Sequence, residues 1–348
     1  MGIAERKRKW IDFLSGGARG LTVALVDAAP ERPLGPRPHP YPDRIAERID
    51  FAARHYEDRM ERTAWLTDDA VPAYHPYTGT ELFAEAFGCP VHYPGDNMPF
   101  ARPLIFGADG LRSLKAPDTG AKPLRDAFEI TYQLRRRCGP DAVPALPDIQ
   151  SPFDIAALVW EKADFLASMI EAPEAVAELC AMAEALLAKF LREWFAEFGT
   201  EYVAHYPDYY MSGGMTLSED EIGEFSGEMF ARFCRDPLNR LSREFGGIGI
   251  HCCAHARHQW ANLKGVEGLQ LINLVQPPKV LIDAYRQFEG VAQMHSWCGD
   301  GEPSEAWLTH LPSGANVVLR VGAKDREGAL RALDALRDLE ARRLDPVL

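Results

Sequence analysis

The sequence contains no run of about 18 apolar residues, so no segment is expected to span a membrane. Residues 1–17 carry the mixed charges of a helix and lack the apolar centre of a signal peptide, so export is not expected either. Basic residues are in deficit. Lys and Arg number 38 against 51 Asp and Glu, for a net charge of −13 and a pI near 5.3. Phosphate-binding surfaces are usually basic, so nucleic acid is not expected as a partner. An anionic small molecule would need local Arg or Lys against this background. The seven cysteines are odd in number and scattered, which is no disulfide framework. They suggest a reducing cytoplasm, with thiols free or metal-bound. The glycine-rich dinucleotide fingerprint is missing, so NAD is not expected, and neither is PLP. Low-complexity tracts and strict repeats are also absent.

Hydrophobic residues are present at 47%, enough for a sizeable core, which excludes wholesale disorder. A chain of 348 residues suits two domains or one large α/β barrel. Residues 3–15 predict an amphipathic helix, 21–26 a strand, and 28–42, with six prolines, an irregular loop. Residues 43–66 read as a long helix and 71–77 as a short extended piece. Residues 80–87 read as a short helix capped by Thr80 and closed by Gly88.

From residue 143 strand and helix alternate. Strands are expected at 143–149, 202–206, 248–253, 269–275, 291–295 and 317–321. Helices are expected at 153–170, 173–198, 259–263, 277–288, 304–311 and 325–342, with broken helical segments in 218–245. Repeated strand–helix units imply right-handed crossovers and a parallel sheet. The expected fold is therefore α/β, a (β/α)8 TIM barrel over 71–348, with residues 1–70 as an N-terminal helical and loop extension.

In such barrels the chemistry sits where strands end. The stretch Gly246-Gly247-Ile248-Gly249-Ile250-His251-Cys252-Cys253 reads as a buried strand ending in metal-ligand residue types. Positions i and i+2 of a strand face one side, so His251 and Cys253 project together and Cys252 faces away. A zinc ion accepts an imidazole and a thiolate side by side. Cys298 is the expected third ligand and His295 the alternative, leaving one position open. Two other readings stay open: a core histidine with core cysteines, or His251, His255 and His258 on one helical face.

Other strand exits supply Asp148, Asp208 and Tyr209 as candidate catalytic groups. His75, Gln150, Gln276, Trp297 and Arg320 are candidate substrate-binding groups, with Arg320 the natural carboxylate anchor. His205 and His310 read as surface or core residues.

The chain resembles the uroporphyrinogen decarboxylase superfamily from about residue 70 to its end. The matching stretches are Gly79-Thr80-Glu81-Leu82-Phe83-Ala84-Glu85-Ala86-Phe87-Gly88-Cys89, Gln150-Ser151-Pro152-Phe153-Asp154, Leu217-Ser218-Glu219-Asp220, Phe230-Ala231-Arg232-Phe233 and Ile250-His251-Cys252-Cys253. The resemblance implies a (β/α)8 barrel and one of two activities. The decarboxylase branch carries an arginine-rich N-terminal motif, and this chain has Gly17-Ala18-Arg19-Gly20 in that neighbourhood. The zinc-dependent methyltransferase branch carries His-x-Cys, which His251 and Cys253 match, and a later Cys near the last strand. Here Leu319-Arg320-Val321-Gly322 holds none, and Cys298 comes one strand earlier.

The resemblance thus favours zinc-dependent methyl transfer to a small thiol, with a corrinoid protein as partner. The alternatives are decarboxylation of uroporphyrinogen or another polycarboxylate, with Arg102, Arg112 and Arg320 as mouth cations, and a non-catalytic barrel that binds a corrinoid or a methyl-carrier protein. A homodimer is expected from the frequency of two-fold assemblies.

Overall fold

Eight strands follow one another in chain order, and the ladders and bridges between neighbours are parallel. The computed structural model describes residues 1–294 and 303–344. The strands are β1 (Thr22–Ala28), β2 (Ala73–Tyr74), β3 (Val143–Pro144), β4 (Met215–Ser218), β5 (Ile248–Cys252), β6 (Leu269–Leu274), β7 (Ala292–Met294) and β8 (Asn316–Ala323). Six form one parallel sheet in the order β1–β8–β7–β6–β5–β4. Strand β2 pairs in parallel with β3, and Gln150, just beyond β3, bridges Ser218 of β4 in parallel. This is the expected (β/α)8 arrangement.

The ladder is not continuous between β1 and β2. There the link is one backbone bond, Asp69 N–H to Ala24 O at 2.9 Å, and two carboxylates. Asp69 Oδ2 accepts from Ala24 N–H at 2.6 Å and Asp68 Oδ2 from Val26 N–H at 3.1 Å. Side chains take over where strand backbone is missing, because buried amides require an acceptor.

Strand β1 lies inside the segment 1–70 that reads from sequence as an extension. It pairs with β8 from Thr22↔Val317 to Ala28↔Ala323, so the sheet reaches back across the expected boundary. The helix Ile3–Leu14 is tied in as firmly. Its Arg6 is buried and bonded to Asp68, and Trp10 donates to the Asp69 carbonyl.

The helix Pro173–Phe198 runs as its pattern predicts, burying Val176, Leu179, Ala183, Leu186 and Phe190 along one face. Two expectations fail in detail. The helix over 153–170 is two helices, Pro152–Val159 and Lys162–Glu171, because Trp160 between them is extended and bridges Ile105. The strand expected at 202–206 is shorter, Tyr202–Val203; it bridges Ala145 beyond β3 in parallel and also pairs as a hairpin with Tyr210–Met211, and the barrel strand that follows is β4.

Two glycines make β5 possible. Gly246 caps the helix Arg235–Phe245 in the left-handed region at φ 82. A Cβ on Gly247 would lie 2.4 Å from the Gln270 amide. Further along, a Cβ on Gly249 would meet Thr216 at 2.8 Å and Leu271 at 3.2 Å. The bare positions let β4, β5 and β6 close up, which carries His251 to the rim.

Candidate metal centre and adjoining cavity

His251 and Cys253 end β5 as the alternation requires. Cys252 is buried on the opposite side, while Cys253 is exposed. Ligand atoms of His251, Cys253 and Asp220 lie within 4.8 Å of one another. Asp220 follows β4, the neighbour of β5, so adjacent strands deliver all three groups to one rim. The expected ligands Cys298 and His295, with Trp297, lie outside the described residues.

The surroundings fix each donor. Asn273 Oδ1 sits 2.5 Å from His251 Nδ1, which makes Nδ1 the protonated nitrogen and leaves the Nε2 lone pair for a metal. Cys253 N–H donates to Asp220 Oδ1 at 2.5 Å. The Asp220 backbone is held in turn, because Asp154 accepts from Asp220 N–H at 2.7 Å and Glu221 N–H at 3.1 Å. Asp154 is held in turn by the helix N-cap, where Ser151 Oγ accepts from Asp154 N–H at 2.9 Å. Two of the stretches that carry the family resemblance, 150–154 and 217–220, therefore meet to position Asp220.

The donor set suits a cation. Burial, then the neighbouring Asp220 carboxylate, push the Cys253 thiol up to about 11. Among the described residues no Lys or Arg forms an ion pair with Asp220. A carboxylate, an imidazole and a thiol side by side are donor types that zinc accepts.

A cavity of about 710 Å3 adjoins this group. Asn273, Gln276 and Tyr206 line it and also touch the metal group. Tyr206 stands edge-on to the His251 ring with centroids 4.4 Å apart. Gln276 donates to Ala254 O at 2.7 Å, so it braces the ligand loop as well as facing the cavity.

His205 lines the cavity, against its sequence reading as a surface or core residue. Its Nε2 is 3.5 Å from Asp148 Oδ2, and its buried Nδ1 has no hydrogen-bond partner among the described residues. Gln150 donates to Asp148 Oδ1 at 2.7 Å, so Gln150 orients Asp148 and does not line the cavity.

Asp208 also lines the cavity, 3.3 Å from Arg59, 3.4 Å from Arg320 and 3.7 Å from His75. Burial opposes its ionisation. Arg59 and Arg320 outweigh burial and hold its pKa below the usual range. Its pairing makes it a fixed anion rather than an acid or base. Arg320 is likewise committed, with Nε and Nη2 donating to Asp27 at 2.6 and 2.9 Å. That is an internal bidentate pair rather than a free carboxylate anchor. His75 faces the cavity and is kept neutral, its pKa pushed down to about 3 chiefly by burial.

Tyr209 does not reach the cavity. It is fully buried against Trp10, centroids 4.6 Å apart. The expected mouth cations Arg102 and Arg112 are also elsewhere, paired locally with His92 and Asp109. The cavity draws instead on Arg37 and Arg59, which no sequence pattern singled out.

Behind the metal group Glu219 is buried. Burial first, and then Asp154, raise its pKa well above the usual glutamate value. The sign follows. The unfolded chain loses this proton near pH 4.5 while the native chain keeps it, so stability falls as pH rises from there through the native pKa. The slope reaches about 1.4 kcal/mol per pH unit. Glu219→Gln is expected to melt at a higher temperature than the unsubstituted protein at pH 8 and close to it at pH 4.5. Thermal unfolding followed by circular dichroism at the two pH values checks this.

Comparison with known proteins agrees with the architecture. A solved structure described as a methyltransferase from Methanosarcina mazei superposes with a TM-score of 0.64 over 99% of each chain at 13% identity, a likeness of fold. No curated protein matches the sequence. Residues 76–288 match the family described as Uroporphyrinogen decarboxylase (URO-D). The span takes in the strands from β3 to β6 and all three candidate ligands. The chain belongs to the uroporphyrinogen decarboxylase family.

Proposed function

We propose that this barrel is a zinc-dependent methyltransferase that moves a methyl group from a corrinoid or other activated donor to a small thiol. The observation that carries the reading is the Asp220–His251–Cys253 group beside a cavity whose lining residues Tyr206, Asn273 and Gln276 contact it. Zinc bound there would supply a Lewis acid that favours the thiolate form of a sulfur compound at neutral pH. The remaining roles belong to the chain. Asn273 fixes the His251 tautomer. Asp154 fixes the Asp220 loop. His205, backed by Asp148, stands ready to take the thiol proton. The sulfur then attacks the methyl carbon, an S–C bond forms, and the bond to the donor breaks with its electron pair left on the donor.

Charge weighs against a polycarboxylate substrate. Arg37, Arg59 and Arg320 face Asp27 and Asp208 in the cavity, and the buried histidines His55 and His75 are neutral at pH 7. About one positive charge is left over, too few for a ligand with many carboxylates.

The test is zinc-loaded protein with methylcobalamin and a panel of small thiols, followed by the cobalamin spectrum. Demethylation that Cys253→Ser abolishes is expected. No demethylation with any thiol, or release of CO2 from uroporphyrinogen, would overturn the reading.

A further inference from the structure

The three guanidinium groups of the cavity are not equivalent. Arg320 is held by Asp27 and Asp208, and Arg59 by Asp208. Arg37 lines the same cavity, and among the described residues no carboxylate pairs with it. It is nonetheless held in place, because its guanidinium lies over the Tyr77 ring at 5.2 Å from the centroid. Tyr77 is itself constrained, at φ 47 in the left-handed region and bonded through its hydroxyl to His55 Nδ1 at 2.9 Å. Its ring stacks on His75 at 5.4 Å and 15°.

His75 supplies a second, independent sign of a missing ligand. It is buried, it faces the cavity, and its Nε2 has no hydrogen-bond partner among the described residues. The nearest anion is Asp208 Oδ1 at 3.7 Å, beyond hydrogen-bonding reach. An unsatisfied buried ring nitrogen costs stability unless something docks on it. Arg37, exposed and without a carboxylate partner among the described residues, and the buried His75 share one aromatic platform. Left-handed backbone in a non-glycine residue is the kind of strain that persists at ligand sites.

We propose that Arg37, His75 and the Tyr77 platform form an oxyanion subsite, which binds one anionic group of a small ligand while the rest of the ligand extends toward the metal group. This deepens the reading above, since it rests on the cavity being the substrate chamber. The guanidinium offers a forked pair of N–H donors to a planar oxyanion and the imidazole offers a third. Carboxylate, sulfonate and phosphate share that chemistry.

Calorimetric titration of metal-free protein with benzoate, methanesulfonate and inorganic phosphate separates the three. At least one is expected to bind, more weakly as salt rises. Arg37→Ala should weaken that binding by roughly tenfold or more and Arg37→Lys by less, with Arg112→Ala as the unchanged surface control. His75→Phe should also weaken it, with the fold checked by circular dichroism. Failure of all three anions to bind, or equal binding by Arg37→Ala, would overturn the proposal. The titration needs no zinc and no methyl donor. A protein that binds the anion through Arg37 but transfers no methyl group therefore keeps the subsite and loses the activity.

Discussion

Zinc-loaded protein is expected to keep about one ion per chain through dialysis, and His251→Ala, Cys253→Ser and Asp220→Ala are each expected to lose it. The three side chains are the only His, Cys, Asp or Glu group of this kind among the described residues. With three protein ligands, removal of any one leaves two, and affinity should fall by more than the roughly 10- to 100-fold that loss of a supporting partner costs. Asn273→Ala removes such a partner and should fall within that range. Cys253 also sets the pH dependence. Its thiol sits near 11 without metal, so metal binding must displace its proton, and affinity should rise with pH through the neutral range. Elemental analysis after dialysis at pH 6.5 and 8 checks both points. Retention of zinc by Asp220→Ala with undiminished affinity would remove the carboxylate from the set.

The second large effect concerns the barrel itself. Asp69→Ala is expected to cost about 3–5 kcal/mol, because it strands the buried Ala24 amide and takes from Lys9 and Arg337 the buried carboxylate they share, leaving them Glu340 alone among the described carboxylates. Asp69 is fully buried. Its carboxylate holds Lys9 at 2.9 Å and Arg337 at 2.8 Å as well as the Ala24 amide. It therefore joins the first helix, β1 and the last helix at the point where the strand ladder is interrupted. A fall in melting temperature of roughly 4–7 °C is expected for a chain of this length. Asp69→Asn, which keeps an acceptor for the Ala24 amide, should fall less, and it serves if the alanine variant fails to fold. Equal melting of all three proteins would show that the carboxylate does not close the ring.

The sequence made half of the metal group legible and hid the other half for a definite reason. His251 lies on a five-residue strand and Cys253 directly follows it, so the strand's alternation shows which side chains agree. Asp220 follows β4, which is four residues long, buried throughout and preceded by Gly213-Gly214. Met215-Thr216-Leu217-Ser218 alternates, but four residues are too few to establish a period, and the glycines suggest a hinge. In the sequence Asp220 stands only within a family-matching stretch, without a role. A carboxylate two residues past a short alternating run is the available signal.

The cavity was harder. Strands β2 and β3 are paired over two residues each, too short to show alternation. Arg37 lies in a proline-rich loop, where nothing local says which way a side chain faces. Arg59 lies on a helix that reads from sequence as a charged surface element, and only the fold turns that face toward β1 and the cavity. Arg320 was found at the right place with the wrong partner, because Asp27 lies almost 300 positions earlier on the neighbouring strand. Register decides that pair, through Leu25↔Arg320 and Asp27↔Gly322. The barrel rhythm itself was plain, since the later strands are longer and each is followed by helix.

X-ray absorption at the zinc edge of the loaded protein tests the central claim most directly. A site of Asp220, His251 and Cys253 predicts one sulfur neighbour with nitrogen and oxygen, rising to two sulfurs when a small thiol is added. Two protein sulfurs before any thiol is added, or a sulfur count that the thiol leaves unchanged, would contradict it.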